Sequence, residues 1–262
     1  MERLLRQMGR PVRIGRRDYR IKGYFSNIVA PESDDEPEVA AAIARLLKRP
    51  GTFVDVGANL GQTLGKVLAV DPDRSYLGFE PQIGACHYIH AFLTANGLRN
   101  ARVLPFGLSD KTGLMSFWSA GEADTMASLV DEGQGKTQSV VMTRIGDEVL
   151  SELDIGDIAA IKIDVEGAEY QVLRGFERTL STIGPPIIFE VLANVDADGF
   201  TDLPAEHVKA NSERANTLHT YLTSLGYRIH VLGMSGEDRE IQVFDLDDPA
   251  KIFGTNFVAT KG

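Results

Sequence analysis

Two groups of acidic residues sit where this chain leaves a strand-like run for a helix-like one, and both have the residue types to act on a bound ligand. In the first, TFVDVGANLG, Asp55 comes near the end of a β-branched and aromatic run, and Gly57, Ala58, Asn59 and Gly61 follow at once. Small residues between a strand and a helix let backbone N–H groups come close to a ligand. Glu80 ends a second run, SYLGFE, where its carboxylate could accept the hydroxyls of a ribose. That pairing points to a nucleoside-containing cofactor. In the second group, IKIDVEGAEYQVLRG, a strand delivers Asp164 to its carboxyl end, and Glu166 and Glu169 follow closely. Crowding like charges is unfavourable, so Asp164 and Glu166 read as chemical rather than stabilising residues. Two readings stay open. One carboxylate has a raised pKa and acts as general base on a substrate hydroxyl, or Asp164 and a neighbour hold a divalent cation that orients and acidifies that oxygen. Glu190, in IIFEV, could join either arrangement. Glu169 has a third role open to it, favouring the N-terminus of the next helix through its dipole.

These residues need a framework that brings strand ends together. From Pro37 onward the pattern alternates between helix and strand. Val39, Ile43, Leu46 and Leu47 fall at helical spacing, Gln62 to Val70 continues from the glycine loop, and Cys86, Ile89 and Leu93 share a helical face that stops at Asn96-Gly97. Strands are expected at 52–56, 75–80, 101–106, 159–164, 187–192, 227–232 and 255–260. A helix carrying Ala168, Val172, Phe176 and Leu180 follows the fourth strand, and one carrying Ala215, Leu218, Leu222 and Leu225 precedes the sixth. Repeated strand–helix units imply a parallel sheet covered on both faces, with ligands beyond the carboxyl ends of its strands. About fifty residues between the third and fourth strands break the rhythm, and LMSFWSA and QSVVMTRI there read as a pair of inserted strands. The polar segment joining them could close over a substrate, with Trp118 and Met126 as candidate pocket residues.

Composition narrows the function classes. The chain has 262 residues, a net charge of −10 and a single cysteine. One cysteine excludes an intramolecular disulfide framework or a cysteine-rich zinc site, and Cys86 reads as a core residue. An acidic balance argues against a general nucleic-acid binder. No apolar run is long enough for a membrane span, and the arginine-rich start has no apolar segment behind it, so a cytoplasmic location is expected. Residues 1–36 read as an extension, basic to residue 22 and acidic in PESDDEPE, which is expected to be solvated; residues 37–262 read as one domain.

The glycine loop does not fit a dinucleotide pyrophosphate. The G-x-G-x-x-G spacing counted from Gly57 reaches Asn59 and Gln62. An acid, G-A-N-L-G and a later acid instead resemble the first two motifs of S-adenosylmethionine-dependent methyltransferases. FVDVGANLGQ, FEP, FGLSD and IKIDVEGAEYQVLRG, in this order, resemble the FkbM family of those enzymes over roughly Gly51 to Leu192. The resemblance implies a Rossmann-like doubly wound α/β sheet, mostly parallel, with a closing antiparallel strand at TNFVAT and a β-hairpin insertion between strands 3 and 4. It implies O-methylation of a hydroxyl on a sugar, glycolipid or polyketide-type molecule, with S-adenosyl-L-methionine as cofactor. By the same resemblance Asp55, Gly57, Asn59 and Gly61 would contact the methionine side, Ala58 lying between them. Glu80 would hold the ribose, Ser109 and Asp110 would lie near the adenine, and Asp164 and Glu166 would lie beside the transferred methyl group.

The expected reaction is an in-line displacement at the sulfonium methyl. Alignment of the reactants can contribute about 7–11 kcal/mol, and a placed base about 10²–10⁴-fold. His219 is an outside candidate for that base. A nucleobase-type Asn/Asp-Pro-Pro-aromatic block is missing after the fourth strand, and Cys86 lies on the wrong helix for a nucleophile. The alternative class is an NAD-dependent oxidoreductase or sugar epimerase. It lacks both the fingerprint and a Tyr-x-x-x-Lys pair, since Arg174 stands four residues after Tyr170.

Overall fold

The computed structural model describes residues 10–21, 36–119, 137–191, 205–233, 237–244, 246 and 255–262. Its centre is an eight-stranded sheet. Five strands run parallel: β3 (Thr52–Val56), β4 (Tyr76–Phe79), β5 (Ala101–Leu104), β9 (Ile158–Ile163) and β10 (Ile187–Val191). β13 (Thr255–Lys261) lies antiparallel between β10 and β11 (Tyr227–Val231), and β12 (Arg239–Glu240) edges the sheet. The spatial order is β12-β11-β13-β10-β9-β3-β4-β5. Crossing from β5 back past β3 to β9 puts the carboxyl ends of β3 and β9 side by side at the reversal of strand order, where such sheets bind ligands.

The order follows from which strands read as apolar throughout. β3, β4 and β9 are buried at every position, as strands covered on both faces must be. One core holds Val54, Val56, Ile161 and Ile163, under α4 (Gly146–Glu152), α5 (Glu169–Gly175), α6 (Glu177–Thr182) and α7 (Ala205–Ser224). The other holds Phe53, Ala160 and Ile188, under α1 (Pro37–Leu46), α2 (Gln62–Val70) and α3 (Ile83–Asn96). The helix expected through Phe176 is broken there into α5 and α6. A Cβ on Gly175 would stand 2.3 Å from the Ser109 carbonyl oxygen, so α5 ends hard against β6 (Gly107–Ser109).

The insertion is a second sheet. β7 (Gly113–Ser119) and β8 (Thr137–Ile145) form the expected antiparallel pair, and β6 adds to β8 in parallel. Met126 and the rest of the connecting segment lie outside the described residues.

The basic arm corrects an expectation. β1 (Arg10–Ile14) and β2 (Arg17–Ile21) form a hairpin whose Val12, Ile14, Tyr19 and Ile21 join the core beside α2 and α3. Arg17 forks onto Asp73 at 3.0 and 2.8 Å, and Asn96 bonds both backbone groups of Arg20. Residues 10–21 are therefore docked, not solvated; 1–9 and 22–35 lie outside the described residues. Among the described residues no helix is long and apolar enough to cross a membrane.

Candidate functional site

At the carboxyl ends of β3, β4 and β9, where sheets of this kind bind ligands, lies a cleft. Gly57, Asn59, Glu80, Asp164 and Glu166 line it, with Phe79, Pro81, Gln82, Gly107, Leu108 and Phe117. The loop after β3 needs left-handed backbone at Gly57 (φ 86°), Asn59 (φ 46°) and Gly61 (φ 90°). Glycine takes this conformation freely, and asparagine more readily than most residues. At Gly57 the constraint is doubled, because a Cβ would lie 1.8 Å from the Asp164 carbonyl oxygen.

The loop's donors do not face the cleft as the sequence suggested. Gly57 and Ala58 N–H both donate to the Phe79 carbonyl at 3.0 Å, and Gly61 N–H donates to Ala58 O at 2.9 Å. Asn59 N–H donates to Glu80 Oε2 at 2.8 Å, and Gln82 N–H to Glu80 Oε1 at 2.7 Å. The loop crosses the end of β4 and spends its N–H groups there. It offers a side-chain-free wall at Gly57 and a carboxylate at Glu80 held by two backbone donors. Each Glu80 oxygen keeps acceptor capacity for a hydroxyl. Asn59 Oδ1 is buried and accepts no hydrogen bond among the described residues.

Asp55 is not on the cleft wall. It is fully buried beneath it, accepting from the Tyr76 hydroxyl and standing opposite Lys162 in the β3–β9 register. Ala58 and Gly61 shape the loop and do not line the cleft. Ser109 and Asp110 do not line it either: Ser109 is buried with its Oγ turned to Asp110, and Asp110 is exposed, while Gly107 and Leu108 take the wall. Phe117 replaces Trp118, since neighbouring residues of β7 point to opposite faces. His219 packs edge-on against Phe244 at 5.7 Å, away from the cleft lining. Cys86 is buried, and burial pushes its thiol up to about 11, as a core thiol requires.

Of the second acidic group, Asp164 and Glu166 come together with Glu190, and Glu169 does not join them. Carboxylate oxygens of Asp164, Glu166 and Glu190 lie within 4.8 Å of one another, a spacing a hard cation could bridge. Glu166 is held at φ 53°, an uncommon conformation for a non-glycine residue that is often found at functional sites. Glu169 is turned back, its Oε1 accepting from Gly167 N–H at 3.0 Å.

Lys162 went unread in the sequence. Its Nζ donates to Asp164 Oδ2 at 2.7 Å from a side chain only 4% exposed. Burial opposes its charge, but Asp164, Asp55 and Glu36 outweigh that and hold it above the ordinary lysine range. A lysine inside a strand buried at every position was the available signal, because burying an ammonium requires partners. Lys66 repeats the device on α2, paired with Glu36 at 3.1 Å.

Four acids at or near the site titrate high. Burial pushes Asp55 up to about 6 against Lys162 and Tyr76. Burial likewise raises Glu80 to about 7 against its two backbone donors, and Glu169 to about 7. Glu190 is pushed up to about 8, by burial and then by Asp164. Burial therefore holds protons on these carboxyls into the neutral range, where they can be exchanged with a ligand.

Residues 55–229 match the family model described as the methyltransferase FkbM domain. A stretch of 174 residues is 29% identical to the hexuronic acid methyltransferase AglP of Haloferax volcanii, covering 65% of this chain and 68% of that protein. Among solved structures, the methyltransferase FkbM from Methylobacillus flagellatus KT aligns at TM-score 0.48 and 18% identity, over 80% of this chain and 43% of that one. An O-methyltransferase from Bacillus cereus in complex with SAH aligns at TM-score 0.48 and 10% identity, over 90% of this chain and 86% of that one.

Proposed function

We propose that this chain, which belongs to the FkbM methyltransferase family, methylates a hydroxyl oxygen of a sugar or glycan, or of a polyketide-type small molecule, at the cluster of Asp164, Glu166 and Glu190. Membership makes it an S-adenosylmethionine-dependent methyltransferase and sets aside the oxidoreductase and epimerase alternatives. When bound, S-adenosylmethionine supplies a methyl group on a positively charged sulfur. Everything else falls to this chain's residues. Glu80 accepts the ribose hydroxyls, Asn59 Oδ1 offers a further acceptor, and Gly57 leaves room at the wall.

The observation that carries the reading is the carboxylate cluster, whose Asp164 and Glu166 line that cleft and whose Glu190 stands beside them, half-buried and pushed up to about 8. A hydroxyl must lose its proton as its oxygen is methylated, and a base matched to neutral pH serves this best. Asp164 is tied to Lys162 at 2.7 Å; its role is to orient the hydroxyl beside Glu190. Glu190 takes the proton. A divalent cation bridging the three acids is the competing way to acidify the oxygen. Lys162 already brings a positive charge to Asp164 at 2.7 Å, which favours the base. The relative named as a hexuronic acid methyltransferase supports a sugar acceptor.

The test is transfer of labelled methyl to a panel of glycosides, with the product treated with alkali. An ether on a sugar hydroxyl keeps its label, and a methyl ester loses it. Glu190→Gln should cut kcat by about 10²–10⁴-fold and leave S-adenosylhomocysteine affinity within several-fold, and Asp164→Asn should also cut turnover strongly. A chelator should leave wild-type turnover unchanged. Label on nitrogen, or full turnover in Glu190→Gln, overturns the assignment.

A further inference from the structure

A second, small cavity flanks the 164–169 loop and has no part in the reading above. Gly167, Glu169, Tyr170, Val191, Arg214 and Leu218 face it. Its Gly167 and Val191 are the chain neighbours of Glu166 and Glu190, with Val191 on the opposite face of β10 from Glu190, so the cavity and the cluster meet only around the carboxyl end of that strand.

Arg214 sets its chemistry. The guanidinium is always charged, and two of its nitrogens are bound within its own helix. Nη2 donates to Asn211 Oδ1 at 2.9 Å and Nε to the Ala210 carbonyl at 3.4 Å. Those bonds fix the fork against α7. Nη1 is buried and has no hydrogen-bond partner among the described residues. Arg214 also has no carboxylate within ion-pair distance among the described residues. Glu169, the acid on the same wall, spends Oε1 on the Gly167 N–H instead. A buried, charged donor without an acceptor is costly, and the residue that carries it lines the cavity. Guanidinium selects carboxylate and phosphate oxygens. Tyr170, Val191 and Leu218 give the remaining wall an apolar and aromatic face, suited to the carbon skeleton of a ring.

We propose that this cavity takes an anionic group of the methyl acceptor, a carboxylate or a phosphate, with Arg214 Nη1 as its charge partner. The inference rests on the O-methylation reading and deepens it: the acceptor is an anionic sugar, and the anion anchors the ring so that a hydroxyl lies at the carboxylate cluster.

The test uses the full chain loaded with S-adenosylhomocysteine and titrated with methyl glucuronoside, glucose 6-phosphate and methyl glucoside. The wild type should bind at least one anionic probe about tenfold or more tightly than the neutral glycoside, and whichever anion binds identifies the source. Arg214→Met should remove that preference, and Arg214→Lys should restore part of it. In turnover, KM for the anionic acceptor should rise about 10–100-fold in Arg214→Met, with a smaller change in kcat. S-adenosylhomocysteine affinity and the circular dichroism spectrum report whether the variant is folded. Equal wild-type binding of neutral and anionic probes overturns the proposal. So does binding of neither anionic probe, or an anion preference that survives in folded Arg214→Met. An Arg214-dependent anion preference with label on nitrogen or on the carboxylate itself would instead sink the O-methylation reading and leave the anion site standing.

Discussion

Replacing Lys162 by methionine removes one charge from the centre of the sheet and keeps most of the volume. The Lys162 side chain is 4% exposed and that of its partner Asp164 is 28% exposed. Removing one member of a buried pair costs about 3–5 kcal/mol, because the other is left uncompensated. Solvent at Asp164 relieves part of this, which brings the expectation to about 2–4 kcal/mol. Asp55 adds to the loss. It is fully buried opposite Lys162, and losing that charge drives its carboxyl further above about 6, so that it is protonated at neutral pH. The hydrogen bond from Tyr76 then loses its charged acceptor. The sign of the pH dependence is fixed by the direction of the shift. The Lys162 ammonium is held above the ordinary range, so its contribution is fully present below about pH 10.4 and is lost only as pH rises beyond it. Urea unfolding of the wild type, Lys162→Met, Asp164→Asn and the double variant at pH 7 gives the coupling directly. A coupling of at least about 1 kcal/mol is expected for groups in contact. A Lys162→Met loss under about 0.5 kcal/mol with no coupling would refute the reasoning.

Two further outcomes follow from the same geometry. Gly57→Ala should lose about 2–5 kcal/mol, from about 1–2 for left-handed backbone and about 1–3 for the clash with the Asp164 carbonyl. It should also weaken S-adenosylhomocysteine binding. Unchanged values in urea unfolding and calorimetric titration would contradict the 1.8 Å approach. Asp55, Glu80, Glu169 and Glu190 all titrate above ordinary carboxylates, at about 6, 7, 7 and 8. Their protonated forms favour the folded state, so this contribution is fully present below about pH 4 and is lost as pH rises through 6–8. Thermal midpoints of the ligand-free protein should fall between pH 5 and 8, with a shallower fall in Glu190→Gln; a flat or rising profile would contradict the burial of these acids.

The strands could be read locally because each announces itself. Thr52–Val56, Ile158–Ile163 and Ile187–Val191 are continuous apolar runs that need no partner to be recognised. The β1–β2 hairpin carried the same kind of signal, with Val12, Ile14, Tyr19 and Ile21 at strand spacing, but seven arginines between residues 3 and 20 made charge the louder feature. The break at Phe176 is set by Gly175 meeting the Ser109 carbonyl, a contact between segments far apart in the chain.

The site divides along the same line. An acid at the end of a parallel strand faces the ligand end of the sheet whatever its neighbours are, so Glu80, Asp164, Glu166 and Glu190 were legible. Their positive counterparts were not. Lys162 becomes a partner only when β9 aligns beside β3 and sets it opposite Asp55; Arg214 becomes a donor only when α7 closes a cavity beside the 164–169 loop. Lys162 sits in a strand that reads as apolar core and Arg214 in a largely polar helix, and nothing local says what either will face. That asymmetry explains why the acids alone left a base and a cation equally open. Choosing between them depends on the charge that offsets the acids, and that charge arrives by register.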